Sequence, residues 1–357
     1  MPPSASLRML VFGAGAIGSY IGGSLAARSQ RVVFIERPAV AEHIRRNGLR
    51  LQPAGQAAPI CLPPTAFEIV TSPQEALALA PFDLALSALK SYDTPAILPS
   101  LQILGDTFDA LLCLSNGVDN EPLLAEAVGA GKIIAATVTS AIGRRAAGEV
   151  VVERLRGVGL AAGHPLSKRL AAVMNDAGLN AHLYARPSDM KWSKLLTNLL
   201  ANATAAILDL TPAEIFAHPG LFRLEMAQLR EALAVMRAQG IGVVDLPRTP
   251  VRLLAWATRL PSALARPLLG RAVGHGRGSK MPSFHIDLHS GRGQSEVAYL
   301  NGAVARYGER YRIPTPINRW LTDTLLSLTE GKLPLDTFAQ KPEKVLKTCC
   351  EACGVGI

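Results

Sequence analysis

The stretch that decides the fold is Arg8-Met9-Leu10-Val11-Phe12-Gly13-Ala14-Gly15-Ala16-Ile17-Gly18. A short apolar run reads as a buried strand, and a glycine-rich turn then opens a helix. The first glycine permits the tight turn. The second lets the backbone approach a pyrophosphate, and the third lets helix and strand pack closely. The helix N-terminus behind the turn offers free N–H groups and a positive dipole end to phosphates. On this reading Gly13, Gly15, Ala16, Ile17 and Gly18 bind a dinucleotide. The competing reading is a membrane span, because Met9 to Ala27 is 19 residues without a charge and that length suffices to span. Glycines at 13, 15, 18, 22 and 23 interrupt it, however, and no basic segment beyond Arg8 precedes it. Neither a span nor a signal segment is therefore expected.

Outward from the glycines, a second strand at Arg31–Ile35 ends on Glu36-Arg37. An acidic residue there holds the ribose 2′-OH of NAD, whereas an arginine pairs with the 2′-phosphate of NADP. Both stand side by side, so both cofactors stay open on these residues. Further apolar strands are expected at 84–88, 110–114 and 133–138, with helices at 39–47 and 121–128 between them. Such alternation specifies a parallel sheet covered on both faces. Residues 149–162 read as antiparallel edge strands.

After Pro187 the apolar spacing becomes helical at 190–208, 221–239, 251–258 and 296–307. The expected fold is thus α/β: a Rossmann-type doubly wound parallel sheet over 1–186, then an all-helical C-terminal domain over 187–340. A basic insertion occupies about 246–280 and ends in the glycine-rich stretch 270–280, read as a loop. The tail 341–357 shows no periodicity and is expected to be disordered.

Composition narrows the function classes. Of 357 residues, 49% are hydrophobic and 18% charged, which excludes global disorder and accommodates two domains. An odd cysteine count of five argues against a disulfide scaffold and for a reducing, cytoplasmic setting. The net charge of +9 invites nucleic acid, yet aromatics are only 5% and no Lys/Arg run reaches five. Nucleic acid is not an expected partner. The surplus is local: Arg248, Arg252, Arg259, Arg266, Arg271, Arg277 and Lys280 lie in the insertion with no Asp or Glu among them. This favours attraction of an acidic substrate or cofactor slightly over a partner surface. Cys349-Cys350-x2-Cys353 lacks a paired knuckle or nearby histidine, so no metal site is expected.

Two polar constellations remain. In Trp192-Ser193-Lys194-Leu195-Leu196-Thr197-Asn198-Leu199-Leu200-Ala201-Asn202, a lysine and two asparagines recur every four residues. On one helix they would form a single stripe. A solvated face gains nothing from asparagine, a poor helix former, so the stripe suggests a proton donor beside hydrogen-bonding positioners. Further on, Ser279-Lys280-Met281-Pro282-Ser283 is followed by Ser290-Gly291-Arg292-Gly293-Gln294-Ser295-Glu296, with Glu296 heading a helix. A glutamate at that place is often only a dipole partner.

With Leu89-Lys90 and Ser115-Asn116-Gly117 added, the ordered set from Arg8 to about Leu328 resembles the ketopantoate reductase family (2-dehydropantoate 2-reductase). The resemblance implies a Rossmann domain followed by a helical domain, with the active site in the cleft between them. It implies reduction of the C2 ketone of 2-dehydropantoate to pantoate by NADPH, a step of pantothenate and coenzyme A biosynthesis. Lys194 aligns with the family's catalytic lysine. Glu296, Asn198, Asn202 and Ser283 align with its substrate-binding residues, while Arg37, Lys90 and Asn116 align with cofactor contacts. Departures are Glu36 before Arg37, one extra residue between Ser283 and Glu296, and the long insertion. A related 2-oxo acid reductase or 2-hydroxy acid dehydrogenase with a bulkier substrate is the nearest alternative, and a non-catalytic NADP(H) sensor a more distant one. The small 2-oxo acid is the expected partner, no membrane association is expected, and homodimer formation stays open.

Overall fold

The N-terminal strands are β1 (Arg8–Phe12), β2 (Arg31–Ile35), β3 (Leu49–Gln52), β4 (Ile60–Leu62), β5 (Glu68–Val70), β6 (Phe82–Ser87), β7 (Phe108–Cys113), β8 (Ile133–Val138), β9 (Ala141–Ala146), β10 (Glu149–Arg154), β11 (Val158–Ala161) and β12 (Ala181–Tyr184). The computed structural model describes residues 6–277 and 281–354. Its chain divides into two units: residues up to Lys191 with Leu246–Thr249, and Trp192–Asp245 with the residues from Pro250 on. The helix Pro187–Leu199 runs through the division.

In the first unit an eight-stranded sheet has the order β12-β11-β8-β7-β6-β1-β2-β5. Strands β5, β2, β1, β6, β7 and β8 pair in parallel throughout. Their order reverses between β1 and β6, and in doubly wound sheets ligands bind outside the carboxyl ends of the strands at such a switch. β1, β6 and β7 are buried along nearly their whole length, so the sheet is covered on both faces; Leu10, Phe12, Phe82, Leu101, Leu104, Phe108, Leu111 and Leu124 belong to one buried cluster. Each such side chain contributes about 1.5–3 kcal/mol through its removal from water.

The uncharged stretch at the N-terminus is thereby accounted for, as β1 followed by the helix Ala16–Ala26. Among the described residues no helix is long and apolar enough to cross a membrane. Residues 149–162 differ from the expected edge strands. β10 lies inside a second sheet of order β4-β3-β10-β9, and β11 lies inside the first, antiparallel to β8. Alternating burial along β10, with Val150 and Val152 inward, suits a sheet with one covered face.

The second unit is helical among its described residues, and here four expectations are corrected. The helix expected over 190–208 is two helices, Pro187–Leu199 and Ala203–Leu208. Ala201 breaks it with a φ of 50°, and the buried Glu225 carboxylate accepts the freed Ala201 N–H at 2.6 Å. The presumed loop 270–280 is helical as far as Arg277, as the end of Ser262–Arg277. Residues 278–280, including Lys280, lie outside the described residues. The tail expected to be disordered carries the helix Pro342–Cys353, which starts on a proline and buries Val345 and Cys349. Gly354 closes it in the left-handed conformation, the usual glycine stop. Glu296, finally, sits in a short 3-10 turn (Glu296–Tyr299), and the helix Asn301–Tyr311 begins only after Leu300.

Candidate functional site

The glycine turn follows β1 directly. Gly13 holds a φ of +91°, which only glycine adopts readily, and its N–H donates to the Ile35 carbonyl at 3.1 Å. A Cβ on Gly18 would lie 1.8 Å from the Gly13 carbonyl oxygen, so the third glycine is required for helix Ala16–Ala26 to close on the turn. A Cβ on Gly15 would meet nothing within 4 Å. Gly15 also starts the helix with no side-chain cap, which leaves first-turn N–H groups, those of Ala16 and Ile17 among them, available to a phosphate. These two glycines therefore separate fold from ligand. Gly18→Ala is expected to lower the melting temperature. Gly15→Ala is expected to leave it unchanged while weakening nicotinamide dinucleotide binding, as read by fluorescence titration. Equal dinucleotide affinity in Gly15→Ala and the parent would remove the open side of the turn from cofactor binding.

The other first-unit residues sit on neighbouring strand ends. Glu36 at the end of β2 accepts the Ala14 N–H at 2.8 Å through Oε2 and the Arg37 N–H at 2.8 Å through Oε1. It thus braces the glycine turn, a role the sequence did not reveal. The Arg37 side chain is 78% exposed and reaches Glu36 only at 3.5 Å. Lys90 follows β6 and leads a short 3-10 turn, Ser91–Asp93. Asn116 follows β7, and its carbonyl accepts the Ser91 hydroxyl at 2.8 Å and the Asn120 amide at 2.6 Å. The Ser115 hydroxyl donates to the Leu89 carbonyl at 2.9 Å. The loops carrying Lys90 and Asn116 are therefore laced together beside β1.

Sequence reading missed Lys191. It is 5% exposed, pairs with Glu121 at 2.7 Å, and donates to the Ser115 and Ala136 carbonyls at 2.8 and 3.2 Å. Burial is the largest single influence and works against its charge, but the charge and hydrogen bond of Glu121 together with Cys113 outweigh it and lift its pKa above the ordinary lysine value. The Cys113 thiol nearby is pushed far up by burial and by Glu121, and so stays protonated. A lysine three residues before Lys194 carried no visible mark of this role, because its partners lie more than fifty residues upstream.

In the second unit, every residue from Trp192 to Leu199 is buried except Lys194, Thr197 and Asn198. The Thr197 hydroxyl turns back to donate to the Lys194 carbonyl at 2.8 Å. Lys194 and Asn198, one helical turn apart, are thus the functional groups that this helix leaves partly accessible. Asn202 is off that helix and 4% exposed. Its amide donates to the Asn198 carbonyl at 3.0 Å and the Ser283 hydroxyl at 3.3 Å, and its carbonyl accepts the Phe284 N–H at 3.1 Å. It ties Ser283, the first residue of helix Ser283–His289, to the lysine helix. Asn198, Asn202 and Ser283 are accordingly brought together. Glu296 is buried at 1% exposure in a turn capped by Ser295, whose hydroxyl accepts the Val297 N–H at 3.2 Å.

Behind these residues lies a buried polar network. Glu225 accepts from Ala201, Thr204 and Gln228. Asn301 joins Gln228 and Asn318 at 3.0 Å each, and Asn318 reaches Glu231 at 2.7 Å. Burial raises the Glu231 pKa despite the donors from Asn318 and Ile317. The three donors on the Glu225 carboxylate hold the bend after Leu199, whereas the buried Asn301 Oδ1 has no hydrogen-bond partner among the described residues. Arginines of the basic insertion also hydrogen-bond backbone carbonyls. Arg252 and Arg266 donate to the carbonyls of Val243 and Ala217, and within the first unit Arg248 donates to Leu155. Arg259 lines a cavity of about 400 Å³ with Arg230, Met236, Arg237, Ile241 and Thr258. The side chains of Arg271, Arg277 and Lys280 lie outside the described residues.

Residues 9–162 match the family model described as Ketopantoate reductase PanE/ApbA, and residues 188–328 match its C-terminal counterpart. The chain is 28% identical over 331 residues to a 2-dehydropantoate 2-reductase of Halobacterium salinarum, covering 89% of this chain and 97% of that one. It is 26% identical over 329 residues to one of Archaeoglobus fulgidus, covering 91% and 97%. Among solved structures, a PanE/ApbA family ketopantoate reductase from Ralstonia eutropha JMP134 superposes with a TM-score of 0.75 at 26% identity, over 91% of this chain and 99% of that one. A D-mandelate dehydrogenase solved with NADH and anilino(oxo)acetate shares the fold at 0.75 and 22% identity, over 92% and 99%.

Proposed function

The chain belongs to the ketopantoate reductase family, and on that premise we propose that it reduces the C2 ketone of 2-dehydropantoate to pantoate, with Lys194 as general acid and NADPH as reductant. The carrying observation is the helix Pro187–Leu199, which buries nearly everything beyond Met190 yet leaves Lys194 and Asn198 partly accessible. The residues of the glycine turn fit a dinucleotide: an open Gly15, an uncapped helix start and a close-packed Gly18. The bound nicotinamide would supply the hydride. Lys194 Nζ gives a proton to the developing alkoxide oxygen. Asn198 orients the substrate's polar groups, and Asn202 holds Ser283 for the same purpose, which turns binding into reactive geometry. Glu296 accepts a substrate hydroxyl. Lys90 and Asn116 position the cofactor from the ends of β6 and β7.

The choice of NADPH rests on Arg37. Glu36 is occupied by two backbone N–H groups, whereas the Arg37 guanidinium is exposed and able to pair with a 2′-phosphate. Arg37→Ala is expected to raise KM for NADPH by about 10–150-fold, the loss of one charge-assisted contact of about 1.5–3 kcal/mol, and to leave KM for NADH unchanged. An equal effect on both cofactors would instead give selectivity to Glu36 and favour NADH. A second reading, a bulkier 2-oxo acid, is favoured by the helices Val251–Ala257 and Ser262–Arg277, which precede the Ser283 segment. Turnover across a panel of 2-oxo acids separates the two: 2-dehydropantoate is expected to give the highest kcat/KM, and an aromatic 2-oxo acid in first place would favour the second reading.

A further inference from the structure

Asp209, His285 and His289 each place one ligand atom within 4.8 Å of the others. None of them belongs to the site described above. The two histidines are four residues apart on helix Ser283–His289 and so share one face. Their rings stack at 4.1 Å between centroids. Asp209 follows helix Ala203–Leu208 in the left-handed conformation, with φ at 51°. The Gln340 N–H donates to the Leu208 carbonyl at 2.7 Å and its side-chain amide donates to the Asp209 carbonyl, which fixes the turn.

The hydrogen bonds also set the nitrogen chemistry. His289 Nδ1 faces the His285 carbonyl at 3.0 Å. A carbonyl only accepts, so Nδ1 carries the proton and the Nε2 lone pair of the neutral ring is left for a ligand. Metal-binding histidines are commonly oriented in this way, with the second ring nitrogen donating to a backbone carbonyl. His285 Nε2 lies 2.7 Å from Asp209 Oδ1. A cation replacing the proton between them needs the two atoms only slightly wider, at about 3.3 Å for tetrahedral bonds near 2.0–2.1 Å.

We propose that Asp209, His285 and His289 form a binding site for a divalent first-row transition cation of the zinc, cobalt or nickel kind. Two imidazoles and one carboxylate select these over magnesium or calcium, which prefer all-oxygen sets. Three protein ligands leave a fourth position for water. The site is a clamp on the helix that carries Ser283. Asn202 ties that helix at its first turn, and the cation ties its histidine face to the Asp209 turn at the far end of Ala203–Leu208. This inference is independent of the reductase reading.

The test uses the untagged full-length protein, freed of metal by chelation and titrated with Zn²⁺ and Co²⁺ by calorimetry. One equivalent per chain is expected to bind, with a rise in melting temperature. His289→Gln, at an exposed helix position, should weaken binding by at least about tenfold, and His285→Ala/His289→Ala should abolish it. Cys349→Ser/Cys353→Ser should bind as the parent does, which sets aside the tail thiols. Absence of saturable binding in the parent protein, or the parent's stoichiometry and affinity retained in His289→Gln, overturns the proposal.

Discussion

Lys194→Ala is expected to lower kcat by about 10²–10⁴-fold, the usual contribution of a positioned general acid, while the Kd for NADPH and the melting temperature stay at their parent values. That loss corresponds to about 2.7–5.5 kcal/mol of transition-state stabilisation at 1.36 kcal/mol per tenfold. Three features motivate it. The lysine interrupts a helix segment whose other residues, apart from Thr197 and Asn198, are buried. The residue one turn on, Asn198, is a poor helix former whose presence needs a reason beyond solubility. The bend after Asn198 is held by a buried carboxylate, Glu225, so the end of this helix is fixed rather than frayed. Lys194→Arg sharpens the test. Arginine keeps the positive charge but does not release its proton at accessible pH, so substrate KM should be largely retained and kcat should remain low. A Lys194→Ala enzyme with unchanged kcat removes the lysine from proton transfer.

The largest expected effect on stability comes from Lys191→Met. Its removal strands the Glu121 carboxylate, whose side chain is 15% exposed, and leaves the Ser115 and Ala136 carbonyls without their donor. Breaking a buried ion pair from one side typically costs about 3–5 kcal/mol, because the remaining charge is uncompensated. For a unit of this size that is roughly 6–20 °C in Tm at about 2–4 °C per kcal/mol. The sign of the pH dependence follows from the raised lysine pKa. Below its unfolded pKa the pair's contribution is fully present, and it is lost only as pH rises through the folded value, so the deficit should be constant across neutral pH. Lys191→Met/Glu121→Gln should recover most of the loss, since both charges are then gone. Because Lys191 holds the Ser115 carbonyl at 2.8 Å, it positions the turn that carries Asn116, and the variant's KM for NADPH should rise. A double variant no more stable than Lys191→Met would mean that packing, not charge, sets the cost.

Local patterns were legible wherever a single element determined its own state. β1, β2 and β8 have the bounds that their apolar runs suggest. The glycine turn announced its helix, because each glycine answers a steric demand within a few residues. Long-range partners were not legible. The helix break at Ala201 depends on Glu225, 24 positions downstream, and the tail helix depends on Val345 and Cys349 finding apolar cover. The tail's periodicity was hidden because cysteine and threonine read as polar although Cys349 is fully buried. Among site residues, the lysine stripe was visible through its spacing, yet the spacing could not reveal that Asn202 leaves the helix to hold Ser283. Glu36 looked like a rival to Arg37 for the ribose; its bonds to Ala14 and Arg37 make it part of the turn. The basic insertion's charge was legible, but not that Arg248, Arg252 and Arg266 would hydrogen-bond backbone carbonyls.

The most direct test of the account is steady-state reduction of 2-dehydropantoate with NADPH and NADH in parallel, following nicotinamide absorbance and identifying the product. The account predicts ketone-dependent NADPH oxidation with stoichiometric pantoate, at a higher kcat/KM than with NADH. Absence of 2-dehydropantoate-dependent oxidation of either cofactor, in protein shown to be folded, would contradict it.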